Sequence, residues 1–182
     1  DGKVDKFVRF NNPEYTPLLQ SRTEGGWDAF CEVLPEYADK KDEVYSDTCY
    51  VNSDSLISQQ NVRDWFTQQA DDVTSAWIAL SDNDIMVAVT EIQSMGKDKQ
   101  TVCAANDCTQ VFLEQLIKLK GETCWVSSLN FNPDNYGGLL VMLAEKICSG
   151  QEVDHFNSFD LPGCNYSNVA EMFPAEWEKF NA

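Results

Sequence analysis

The chain has 182 residues, with 30 Asp and Glu against 13 Lys and Arg, a formal net charge of −17 and an apolar fraction of 43%. That size buries the core of one domain. The charge excludes binding to a phosphate backbone and disfavours anionic membrane surfaces, and no apolar run approaches the ~20 residues that span a bilayer. Nucleic acid and membrane insertion are therefore not expected. The opening stretch is polar and starts at Asp1, so it reads as a trimmed chain rather than one with a signal peptide.

Lys3 to Phe10 alternates Val4, Phe7, Val8 and Phe10 with charged residues and predicts a strand. Leu18, Leu19, Trp27, Phe30, Val33 and Leu34 predict a helix over 18–34, interrupted by Gly25-Gly26 and stopped by Pro35. A strand is expected over 43–51. A helix capped by Ser55 runs through Gln69, with Leu56, Val62, Trp65 and Phe66 inside. Ala76 to Leu80 is a continuous apolar run, the mark of a strand covered on both faces. Asp82 opens a helix that Gly96 ends. The cycle then repeats: strand 101–105, helix 109–119 ended by Gly121, strand 123–131, helix 134–148 ended by Gly150. A further strand is expected over 151–156. Residues 157–182 read as an irregular return segment and tail, with one helical turn over 168–173.

Alternating strands and helices argue a single α/β domain over 1–182, a three-layer α/β/α sandwich with a mainly parallel sheet. Ligands of such sheets sit beyond the carboxyl ends of the strands. Those ends read Asn11-Asn12, Ser81-Asp82-Asn83, Asn106-Asp107 and Asn130-Phe131-Asn132. Turn chemistry alone enriches Asn and Asp there, so their recurrence matters more than any one of them.

Seven cysteines leave at least one without a partner inside the chain. No CxxC occurs and the lone His155 lies far from any Cys group, so no metal is expected. Cys103 and Cys124 lie on apolar runs and read as buried thiols, whereas Cys148 and Cys164 flank the return segment and are the expected disulfide. Asn165-Tyr166-Ser167 is a glycosylation sequon, which leans toward a secreted, oxidising setting. No GxSxG, GxGxxG, Walker A or HExxH pattern is present. No catalytic residue and no cofactor is expected.

Three segments in order, AWIALSDNDIMVAVTEIQSMGK, TVCAANDCT and WVSSLNFNPDNYGGLLVMLAEKICSGQEV, resemble the C-terminal lobe of type I periplasmic sugar-binding proteins of the ribose- and galactose-binding group. The spacing of Pro133, Gly137 and Gly150 fits that pattern without a gap. LQSRTEGGWDAF resembles the group's Arg-x-x-Gly-Phe helix start, and NYSNVAEMFP its closing Thr-x-Asn-Val segment.

The resemblance implies that Arg22 clamps sugar hydroxyls or the ring oxygen and that Asp107 accepts from two hydroxyls. It places the Asn/Ser-Asp pair on Ser81-Asp82, with Asn83 close by; a literal match would instead take Asn83-Asp84 and need a short deletion. The group's Gln falls on Phe131, which offers a stacking face, and Asn130 or Asn132 stands in as the polar contact. The Gly residues around the ligand Asp are Ala105 and Cys108 here, and Tyr50 is nearest to the expected aromatic.

The function so implied is non-catalytic binding of a small sugar-like solute, for transport or sensing, outside the cell or in the periplasm. The missing N-terminal lobe or another protein chain would supply the facing surface. The alternative is an interaction or structural module docking through Trp27, Tyr136, Trp177 and Phe180, with the aromatic tail Phe173 to Phe180 as its docking segment.

Overall fold

A computed structural model describes residues 3–51, 54–131, 134–155 and 161–181. In chain order the elements are β1 (Lys6–Asn11), α1 (Pro17–Val33), a 3-10 turn (Pro35–Tyr37), the single turn α2 (Lys41–Val44), β2 (Tyr45–Cys49), α3 (Ser55–Thr67), β3 (Ser75–Ala79) and α4 (Asp82–Ser94). A second 3-10 turn (Asp98–Gln100) leads to β4 (Thr101–Asn106), α5 (Gln110–Lys118), β5 (Trp125–Leu129), α6 (Asp134–Cys148), β6 (Gly163–Asn165), α7 (Val169–Met172) and α8 (Pro174–Phe180).

The strands form one sheet in the order β2-β1-β3-β4-β5-β6, parallel except for β6, which runs antiparallel to β5. α1 covers β1 and β3 on one face and α3, α4 and α5 cover the other, whereas Val102 of β4 and Val126 of β5 remain 45% and 36% exposed. On one face α1 buries Trp27 against Phe7, with Phe30, Ala76 and Ile78 around them. On the other, α3, α4 and α5 bring Val62, Trp65, Phe66, Ile85, Val89, Ile92, Phe112 and Leu116 onto Val8, Phe10, Trp77 and Trp125. Trp77 anchors this larger core: its ring stacks on Phe66 (5.7 Å, 15°) and meets Trp65 edge-on at 5.0 Å. The fold is the α/β sandwich expected from the sequence.

Local chemistry sets most boundaries. The Ser81 and Thr109 hydroxyls accept the Asp84 and Phe112 N–H groups and so cap α4 and α5. Gly96, Gly121 and Gly150 follow α4, α5 and α6 with φ of +69°, +77° and +75°, the left-handed turn that closes a helix. Asp54, one residue before the expected Ser55, caps α3 by accepting from the Leu56 and Ile57 N–H groups.

Several expectations are corrected. Residues 151–155 form no strand, and Phe156 lies outside the described residues. Within the expected irregular tail, residues 163–165 pair as β6, and α8 packs on α5 with Phe180 in the main core. Of the aromatics expected at a docking surface, Trp27 and Phe180 are buried instead, and Tyr136 and Trp177 are half-buried. Cys148 and Cys164 do not pair: Cys148 is exposed at the end of α6, while Cys164 is wholly buried in β6. Asn132 and Pro133, expected as a polar contact and a spacing residue, lie outside the described residues.

Candidate solute-binding site

The sheet order reverses direction between β1 and β3, and in doubly wound sheets that reversal opens a crevice at the carboxyl ends. At the end of β4 the Asn106 side chain donates from Nδ2 to the Leu80 carbonyl at 2.8 Å, tying the ends of β3 and β4 together. Asp107 and Cys108 follow with φ of 117° and 51°. Side chains disfavour that region, at about 1–3 kcal/mol per residue, so the turn must be held from outside. The Asp107 N–H donates to the Leu129 carbonyl at 2.8 Å and the Cys108 N–H to Ser128 Oγ at 3.0 Å.

The turn presents a half-buried Asp107 carboxylate. Burial raises its pKa; the opposing influences are the Arg22 charge and the Asp82 backbone N–H. Arg22, exposed in the second turn of α1, lays its guanidinium over the Phe131 ring at 4.5 Å from the centroid, a contact that fixes a long cation without neutralising it. Arg22, Asp107 and Phe131 therefore converge from α1, the turn after β4 and the end of β5. Asn130 stands at their edge, half-buried, its N–H donating to the Pro162 carbonyl at 2.9 Å.

Asp82 and Ser81 lie beneath this group. Asp82 is 1% exposed. Its Oδ1 accepts from Ser128 Oγ and its Oδ2 from the Thr109 N–H, each at 2.6 Å, which braces the turn carrying Asp107. Burial lifts its pKa to about 6 against those two hydrogen bonds. The Ser81 hydroxyl serves the α4 cap, and Asn83 is exposed at the start of that helix.

One further pair lies beside the site, Tyr15, which sequence reasoning missed, and Asp84, which it held only in the alternative Asn83-Asp84 match. Tyr15, in the loop after β1, donates from its hydroxyl to the Asp84 carboxylate at 3.3 Å. Asp84 is buried, which lifts its pKa to about 6, and burial with the nearby Asp84 charge raises Tyr15. Asp84 was present in the literal Asn-Asp register, but its partner lies 69 positions away and no local pattern marks it. Tyr50 is buried edge-on against Phe10 at 5.6 Å, behind the crevice rather than in it.

No protein-family model and no curated protein matches the sequence. Solved structures match in fold. An ABC sugar transporter subunit from Rhodobacter sphaeroides superposes with a TM-score of 0.66 at 20% identity, over 91% of this chain and 56% of that one. A periplasmic solute-binding protein from Actinobacillus succinogenes with bound D-allose gives 0.70 at 15% identity, over 93% and 55%. A 5-methylthioribose transporter solute-binding protein from Thermotoga lettingae gives 0.66 at 16%, over 97% and 58%. The chain thus has the fold of one lobe of a type I periplasmic binding protein. It spans a little over half the length of the structures it matches.

Proposed function

We propose that the chain binds a small sugar-like solute without catalysis, at the crevice beyond β3, β4 and β5. It serves as one lobe of a two-lobed binding protein that works outside the cell or in the periplasm. The observation that carries this reading is the convergence of Arg22, Phe131 and Asp107 at the carboxyl ends of the strands. A guanidinium fork donates to sugar oxygens, a carboxylate accepts from hydroxyls, and an aromatic face covers C–H groups. Asn130 adds an amide at the edge, while Asp82 acts from below by bracing the turn and Ser81 by capping α4. The lobe-only match to sugar-binding structures supports the same reading, with the facing lobe or another chain closing the site; a half-cleft buries too little of a small ligand to hold it tightly.

Calorimetric titration of the intact protein with a panel of pentoses and hexoses tests this. At least one sugar should release heat. Asp107→Ala should weaken it about 10- to 100-fold, the effect of losing a charged hydrogen-bond acceptor. A silent panel, or unchanged affinity in Asp107→Ala, would falsify the site.

The second reading, a docking module, is favoured by the exposed Leu140, Val141 and Ile147 on α6. Under it, the sugar panel is silent and a Val141→Lys substitution abolishes binding to another protein subunit.

A further inference from the structure

The turn that carries Asp107 touches the return strand through two cysteines. Cys108 donates from its N–H to Ser128 Oγ at 3.0 Å and from its Sγ to the Ser128 carbonyl at 3.2 Å. Ser128 is in turn the antiparallel partner of Cys164, the middle residue of β6. The turn after β4 thus reaches over β5 to β6: Cys108 lies on the Ser128 backbone and Cys164 pairs with that same residue from the other side. Both are buried, at 7% and 0% exposure. The Cys108 backbone is left-handed, with φ of 51°, so something must hold a side-chain-bearing residue there.

We propose that Cys108 and Cys164 join in a disulfide when the chain folds in an oxidising medium, stapling the Asp107 turn to β6. In the first step the thiolate of one cysteine attacks a sulfur of a disulfide reagent, small or protein-borne, forming a mixed disulfide and releasing one thiol. The second cysteine's thiolate attacks the mixed disulfide at the protein sulfur, forming the Cys108–Cys164 bond and releasing the second thiol. Two electrons and two protons pass from the pair to the reagent. The exchange precedes burial, since neither sulfur is open to a reagent in the folded chain. Closing the bond draws the sulfurs together to about 2.05 Å and replaces the Cys108 Sγ hydrogen bond to the Ser128 carbonyl, while the Cys108 N–H stays on Ser128 Oγ.

Cys103 and Cys124 are neighbours too, through the hydrogen bond from the Cys103 N–H to the Cys124 carbonyl at 2.6 Å. The register sets Cys103 opposite Trp125 rather than Cys124, so a disulfide there would have to displace the β4–β5 ladder. The staple goes beyond the sugar-binding reading and does not depend on it.

The test folds the native sequence in a buffer of oxidised and reduced glutathione, blocks free thiols with iodoacetamide and maps the peptides by mass spectrometry. The expected result is a linked peptide pair containing Cys108 and Cys164. Reductant should lower the melting temperature by about 10 °C, the effect of opening a loop of 57 residues, and should not do so in Cys108→Ser/Cys164→Ser. Recovery of both cysteines alkylated, or of either linked elsewhere, overturns the proposal. The map needs no variant to fold and no sugar to bind, so its outcome is separate from the calorimetry.

Discussion

Asp84→Asn should make this protein more stable at pH 8 and leave it unchanged at pH 4. The Asp84 carboxylate is 3% exposed, and its side-chain partners are the Tyr15 and Ser81 hydroxyls. Burial lifts its pKa from 3.8 to about 6, with the Asp107 charge adding to the rise. A folded pKa above the unfolded one means that the folded state holds the proton longer. Stability therefore falls as pH rises from about 4 to about 6, then stays at the lower level. The rise corresponds to about 3 kcal/mol at 1.36 kcal/mol per pH unit. An Asn side chain of the same shape still accepts from the Tyr15 hydroxyl but carries no charge, so it avoids that cost. Allowing for relaxation around the site, the gain should be about 2 kcal/mol at pH 8, or roughly 1 M in the urea midpoint. Urea melts of both proteins at pH 4, 5, 6, 7 and 8 give the difference directly, with the other carboxylates cancelling. A variant less stable at pH 8, or a gain of the same size at pH 4, would refute the reasoning.

Gly121→Ala should cost about 2–3 kcal/mol, because φ is +77° and an added Cβ would come within 2.8 Å of Tyr166 Cβ and Cγ; a thermal melt should fall by about 5–10 °C. Arg63→Ala should lower the urea midpoint, since it strips the Glu91 side chain, 3% exposed, of its bidentate partner; the half-exposed guanidinium keeps the loss below that of a fully buried pair. Restoring apolar packing with Arg63→Leu and Glu91→Leu together should recover most of that loss.

The parts of the fold that were legible are those encoded within one turn or one strand. Ser81 and Thr109 precede apolar helical repeats, and each caps its helix as that spacing requires. The run from Ala76 to Leu80 reads as a buried parallel strand because both of its faces are apolar, and β3 lies inside the sheet. In contrast, β6 is three residues long and exists only through its pairing with β5; no periodicity can announce so short a strand. The tail aromatics read as a docking segment because nothing local says that α8 packs on α5.

The same division runs through the site. The resemblance picked out Asp107 after a strand and Arg22 on the first helix, yet their meeting with Phe131 depends on the crossover of α1 and the register of β4 with β5. The resemblance gives Asp82 a ligand role through its Ser-Asp match; in the structure its carboxylate accepts from Ser128 Oγ, 46 positions away.

Sequence alone determined the α/β order, most helix boundaries and the acidic surface, because these follow from side chains a few residues apart. Only the tertiary structure decided that Asp107 is half-buried beside Arg22 while Asp82 is buried on Ser128, and that Cys108 and Cys164 both lie against Ser128. Those outcomes hang on long-range strand pairing and on burial, which bring together groups that the chain keeps dozens of residues apart.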